Sequence, residues 1–191
     1  MYILFEGIDT CGKSTQIEML KGCRPDIVVT REPGGTRTGE KIRDIVITTD
    51  SISPKAETLL FLADRAEHFK RVVEPNLDAI VVSDRGFVSG MAYAMESGEE
   101  DFDLLLEMNL FALGGRLPDL VIFFHTDEET LEERISLKEA DVIESRGVGY
   151  LMRVQKRMRE ILGRVGIETV EIYAGDDREE IHQRILKYLK I

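Results

Sequence analysis

Gly7-Ile8-Asp9-Thr10-Cys11-Gly12-Lys13-Ser14-Thr15 follows directly on the apolar run Tyr2-Ile3-Leu4-Phe5, and its reading decides the fold. Two glycines five positions apart, followed by Lys and Ser, form the phosphate-binding loop pattern. Gly7 and Gly12 let the backbone wrap until its N–H groups point inward at phosphate oxygens. A helix beginning near Lys13 adds its positive N-terminal end. Lys13, expected to stand exposed, reaches toward the β- and γ-phosphates, and the Ser14 hydroxyl is suited to ligate Mg²⁺. Average composition produces such a match by accident in roughly one chain in a hundred of this length. Its place between an apolar strand and an amphipathic helix makes accident rarer still. The whole stretch, with Ile8, Asp9, Thr10, Cys11 and Thr15, is read as the seat of a nucleoside triphosphate.

Outward from that loop, short apolar runs alternate with stretches of helical period. The strand candidates are 2–5, 27–29, 79–82, 120–124 and 169–173. Most are solidly apolar rather than alternating, as parallel strands covered on both faces are. Amphipathic helices are expected over about 54–73, with a stripe of Leu59, Leu60, Leu62, Ala63, Ala66 and Phe69, over 150–165, and over 178–188. The alternation implies a doubly wound α/β domain, five parallel strands with helices on both faces. The 191 residues suit one domain, and 43% apolar side chains exclude wholesale disorder. A net charge of −11 argues against holding nucleic acid through the general field. There is no apolar run long enough for a membrane span and no signal-peptide pattern at the N-terminus. Cys11 and Cys23 are too few for a disulfide framework or a zinc site. A cytoplasmic, reduced protein is expected.

The loop leaves the reaction open, since GTPases, motor ATPases and small kinases share it. A GTPase would carry an Asn-Lys-x-Asp motif, and the asparagines, Asn76 and Asn109, do not sit in one. Asp84-Arg85 closes the third strand, where a charged pair faces the ligand crevice of an open parallel sheet. Asp84 is suited to organise Mg²⁺ through water and Arg85 to clamp a phosphate bidentately; taken alone, the pair also reads as a surface ion pair. Arg31-Glu32-Pro33-Gly34-Gly35-Thr36 has the composition of an anion-handling loop. Phe61 and Arg65 lie four apart on one helical face, an aromatic to stack on a base and a planar donor for its carbonyl. Alone, Phe61 would more often be core and Arg65 a solvated charge. His68 reads as packing, His182 as a surface residue, and Cys11 as filling a loop position.

Together these segments resemble the thymidylate kinase family. The likeness rests on Asp9 in the phosphate loop, the 31–36 loop, Leu59-Leu60-Phe61-Leu62-Ala63-Asp64-Arg65, and Asp84-Arg85 through Ser89 and Ala92-Tyr93. It covers most of the chain in the expected order. The resemblance implies a P-loop kinase fold of one domain over 1–191 with a short lid at about 136–149. It implies transfer of the γ-phosphate of Mg²⁺-bound ATP to dTMP, in a cytoplasmic homodimer. It places Asp9 at the acceptor's sugar and phosphate, Phe61 on the thymine ring, Arg65 on the base edge, Arg85 on the acceptor phosphate and Tyr93 against C2′, with Ser89 also among the substrate-binding residues. The helix over 103–113 is a candidate for the dimer contact, though equally it reads as core.

The chain also departs from the family pattern at Thr10, Gly86, Ala94, His125 and Val142. The transferring charge then falls to Arg134, Lys138, Arg146 or Arg153, with Arg134 and Arg153 favoured because helices hold geometry more firmly than loops. Two rivals remain at this point: a kinase for another nucleotide or a deoxynucleoside, and a regulatory ATPase whose product is a conformational change.

Overall fold

The computed structural model describes residues 1–49, 52–98, 101–136 and 147–189. The proposed lid falls largely outside them, and with it Lys138, Val142 and Arg146.

Five strands form one parallel sheet in the order β2-β3-β1-β4-β5: β1 (Tyr2–Glu6), β2 (Val28–Arg31), β3 (Val81–Asp84), β4 (Leu120–His125) and β5 (Thr169–Tyr173). Along β1 the alternation of side chains divides the core in two. Tyr2 and Leu4 join the cluster beneath α4 (Phe87–Glu96), α5 (Phe102–Ala112) and α7 (Val148–Val165). Ile3 and Phe5 join the opposite cluster, under α1 (Lys13–Cys23) and α8 (Arg178–Leu189). β1 is buried on both faces, which is why its sequence carries no polar alternation.

The second and third strands start and end later than their apolar runs suggest. Pairing decides this: Tyr2 stands opposite Val81 and Phe5 opposite Asp84, so β3 runs on into the acid. β2 follows it, with Arg31 opposite Asp84. Two further helices fill the connections, α2 (Arg37–Thr48), capped by the Thr36 hydroxyl on Gly39 N–H, and α6 (Glu128–Ser136).

The expected helix over 54–73 is α3 (Pro54–His68) followed by a π-type turn, Phe69–Val73. Of its stripe Phe69 reaches the core, but the α3 part does not face it as expected. Leu59 is 59% exposed and Ala63 is exposed, whereas Asp64, Arg65 and His68 are buried. The inward face of α3 is polar because it packs over the β2 exit loop, where Glu32 and Gly34 offer partners for charged side chains. His182, expected at the surface, is also buried, between Gln16 of α1 and Cys23.

Candidate active site

The C-terminal ends of the neighbouring strands β1 and β3 bring the two chemistry-bearing segments together. They open on a cavity of about 490 Å³ lined by residues 9–16, Asp84, Arg85, Phe124, Arg134 and the turn after β5. Glycine is required at both ends of the loop. Gly7 has φ 148° and a Cβ there would lie 2.8 Å from Cys11 Sγ, while Gly12 has φ 92°. Thr10, between them, also takes a left-handed φ of 63°, a strained choice for a β-branched residue. It is held by its hydroxyl on Asp9 O and by Arg134 on its carbonyl.

Lys13 is buried, not exposed as expected. Its Nζ donates to Gly7 O at 2.9 Å and Ile8 O at 2.7 Å, so the loop's own carbonyls draw the ammonium inward. Ser14 and Thr15 are exposed on the cavity side. Cys11 is buried and donates its thiol to Ile8 O, packing beneath the loop as its filler role implies.

Arg85 and Asp9 meet across the mouth of that cavity. Arg85 Nη2 donates to Asp9 Oδ1 at 2.6 Å, and Nη1 to Gly7 O at 2.8 Å and Ser89 Oγ at 3.1 Å. Burial lowers the Arg85 pKa, but the charges of Asp9, Asp84 and Glu6 outweigh it and leave the guanidinium firmly cationic. Asp84 lines the same cavity, and its buried Oδ1 has no hydrogen-bond partner among the described residues. A buried, unpartnered carboxylate oxygen beside an exposed Ser14 hydroxyl fits a hard cation held with phosphates. Among the described residues no cluster of three metal-binding side chains exists, so such an ion would lean on the nucleotide and water.

A second, smaller recess of about 20 Å³ lies between α3 and α4, lined by Pro54, Phe61, Gly90, Tyr93 and Ala94 among others. Phe61 and Tyr93 therefore face one space. Arg65 adjoins it: a Cβ on Gly90 would lie 3.0 Å from Arg65 Nη2. Arg65 is no solvated surface charge. It is 3% exposed, with Nε on Glu32 Oε2 at 2.8 Å and Nη1 on Asn109 Oδ1 at 2.6 Å. Glu32 also meets His68 Nδ1 at 2.7 Å, and His68 Nε2 meets Thr30 Oγ1 at 2.7 Å. Burial pushes the Glu32 carboxyl up, but Arg65 and His68 reverse this and hold it below its ordinary value. Tyr93 OH is buried without a partner among the described residues, and burial raises it.

The two favoured cations sit apart. Arg134, at the end of α6, donates Nη1 to Thr10 O at 2.9 Å and Nη2 to Ala174 O, tying the phosphate loop to the turn after β5. Arg153, near the start of α7, pairs with Glu96 and lies over the Tyr150 ring at 5.8 Å. It does not line the large cavity.

Glu6, Asn109 and His68 escape a reading by motif, and Asp64, though part of the 59–65 stretch, shows nothing there of its inward role; all four lie inside the fold. Glu32 was visible only as part of an anion-handling loop, whereas its carboxylate turns inward to a cation. The one signal for such residues is a charge inside an otherwise apolar stretch, as Glu6 is after Phe5.

A phosphate loop after β1, a bidentate-capable arginine just after β3 and a separate aromatic recess between α3 and α4 together define a P-loop phosphotransferase with two ligand sites. A sequence model of the family described as thymidylate kinase matches residues 5–185. A thymidylate kinase of Sulfurovum sp. (strain NBC37-1) is 58% identical over the full length of both chains. One of Campylobacter concisus (strain 13826) is 47% identical, covering 99% of this chain and 98% of that one. The crystal structure of thymidylate kinase from Ehrlichia chaffeensis superposes with a TM-score of 0.78 at 26% identity, covering 99% of this chain and 98% of that one. The chain belongs to the thymidylate kinase family.

Proposed function

We propose that this chain transfers the γ-phosphoryl group of ATP to dTMP, giving dTDP and ADP, in the cytoplasm. The observation that carries the reading is the Arg85–Asp9 pair, which lines the phosphate-loop cavity while Arg85 also reaches Ser89 of α4, the helix that walls the aromatic recess. The donor phosphates would lie on the N–H groups of residues 7–15 and on Lys13. The acceptor base would stack on Phe61 with Arg65 at its edge, its sugar against Tyr93 and its phosphate on Arg85. Asp9 would orient the acceptor, and it anchors Arg85 through Nη2. Ser14 and Asp84 would hold Mg²⁺, which when bound neutralises charge on the donor phosphates. The acceptor phosphate is itself a nucleophilic anion, so alignment and charge stabilisation suffice without a strong base. Arg134 is the helix-borne cation on the cavity wall, whereas Arg153 is held on Glu96 outside that wall.

The same protein would act as a homodimer. Leu104 and Phe111, seven apart on one face of α5, are 50% and 88% exposed, and α5 packs beside α3, where Leu59 is 59% exposed. Among the described residues no helix is long and apolar enough to cross a membrane.

A panel of nucleoside monophosphates, assayed for ADP release with Mg-ATP, tests the reading. Turnover should depend strongly on dTMP. Turnover independent of any acceptor would favour a regulatory ATPase, and preference for a purine acceptor would favour another nucleotide kinase.

A further inference from the structure

Beneath the Arg85–Asp9 pair lies a carboxylate with no part in the chemistry above. Glu6 ends β1 and is 0% exposed. An ionised side chain there carries a heavy desolvation cost unless it is paired. Among the described residues its hydrogen-bond partners belong to one residue of α4: Oε1 accepts the Ser89 N–H at 3.3 Å, and Oε2 accepts the Ser89 hydroxyl. Ser89 is itself buried. The hydroxyl is thereby committed. Its proton points at Glu6, so its oxygen faces the opposite way with lone pairs free, and there Arg85 Nη1 donates at 3.1 Å. Three oxygens now fix the guanidinium, those of Ser89, Gly7 and Asp9. They do so on a backbone with φ 67°, a conformation an arginine does not adopt by itself.

We infer that Glu6 is a positioning residue: by taking the Ser89 proton it makes the Ser89 oxygen the acceptor that aims Arg85 at the acceptor phosphate. This rests on the reading of Arg85 as the phosphate clamp. A carboxylate is needed because it only accepts. In Glu6→Gln the amide nitrogen faces either the Ser89 N–H, donor against donor, or the Ser89 oxygen, which leaves the hydroxyl proton without its acceptor. Either rotamer loosens the oxygen that Arg85 uses.

The test is steady-state kinetics with dTMP and ATP varied separately. Glu6→Gln should raise the dTMP KM about tenfold, the loss of roughly one charge-assisted contact, with the ATP KM within about twofold. Ser89→Ala should give the same split. The double variant should be no worse than the worse single one, because both act through one contact. A general structural role would instead move both KM values together. Arg85→Lys keeps the charge but removes the fork, and separates the two readings. Should Arg85→Lys leave the dTMP KM unchanged, the clamp reading falls and this inference with it. If Arg85→Lys weakens dTMP while Ser89→Ala and any folded Glu6→Gln bind it as wild type does, the inference alone is overturned; additive losses in the double variant overturn it too.

Discussion

The two ligand sites of this molecule are built from different materials. The donor side is made of backbone: residues 7–15 wrap on glycines with φ 148° and 92°, and even Lys13 is held by two main-chain carbonyls. The acceptor side is made of side chains drawn from β2's exit loop, α3, α4 and α5, joined by the buried Glu32–Arg65–His68 group and Asn109. A backbone cradle binds any polyphosphate and needs only a local turn. A side-chain recess discriminates, and it needs elements far apart in sequence to be in register. The contrast separates affinity for the shared donor from choice of acceptor, and substitutions on the two sides should fail in different ways.

The largest effect is expected at Lys13. Lys13→Ala removes a preorganised cation from the donor phosphates, and should cost about 3 kcal/mol or more of transition-state stabilisation. The fold should survive, because the hydrogen bonds from Nζ serve two loop carbonyls and the Cys11 sulfur, all within the loop. Circular dichroism and single-turnover rates check both halves. Retention of more than about a tenth of wild-type activity would break the donor assignment.

Glu32→Gln should show the opposite pattern, with stability lost first. It leaves Arg65, 3% exposed, without its carboxylate, and breaking a buried pair this way costs about 3 kcal/mol. Thermal unfolding should show a Tm lower by several degrees. The pH dependence has a definite sign. A carboxyl held below its ordinary value of 4.5 stabilises the fold above that value, and the contribution is lost as pH falls toward the lower folded value. The gap between wild type and variant should therefore narrow below 4.5. Burial raises Glu6 and Asp64, so they act with the opposite sign; Glu6 is common to both proteins and cancels in the difference, while the part of the Asp64 shift that the Glu32 charge causes is lost in the variant and subtracts from the gap. A gap that widens on acidification would refute the pairing.

The same contrast decides how much was legible in the sequence. The phosphate loop can be read from one nine-residue stretch because its chemistry is local, and the parallel sheet because apolar runs of strand length need both faces covered. The Asp84-Arg85 pair followed from its place at a strand end. The inward face of α3 did not: Leu59 and Ala63 look like core by period, yet they face out while Asp64, Arg65 and His68 turn in. Hydropathy ranks a residue by what water costs it, and cannot know that Glu32 waits inside. Lys13 and His182 were misjudged for the same reason, as each finds polar partners only in the folded chain.

Phe61→Ala probes the acceptor side without a charge. Removing the ring should weaken dTMP by about 1–3 kcal/mol, the range for base–aromatic stacking, and leave the ATP KM unchanged. Phe61 is only partly buried, so little stability should go with it. The ratio of dTMP to AMP turnover is the sharper readout, since Phe61 and Tyr93 line one narrow recess between α3 and α4. Equal acceptor preference in wild type and variant would mean that selection lies elsewhere.

The smallest effects, and the finest test of the contrast, belong to the two helix-borne arginines. Arg134 spans donor-side backbone, from Thr10 O to Ala174 O, so it braces the loop that holds the triphosphate. Hydrogen bonds from a charged group to such carbonyls contribute about 1.5–3 kcal/mol each when desolvated, and less here because the site is open. Arg134→Ala should raise the ATP KM several-fold and reduce kcat, leaving the dTMP KM nearly alone. Arg153 is 60% exposed at its side chain and pairs with Glu96, the kind of surface contact that contributes little. For Arg153→Ala, kcat within about twofold of wild type is expected. If Arg153→Ala instead lowers kcat more than Arg134→Ala does, Arg153 leaves Glu96 to meet the transferring phosphoryl group, and the catalytic cation comes from the acceptor side of the molecule. Glu96→Gln then separates the cases further. Freeing Arg153 from its carboxylate should leave turnover unchanged if Arg153 is a bystander, and raise it if the ion pair holds back a working cation.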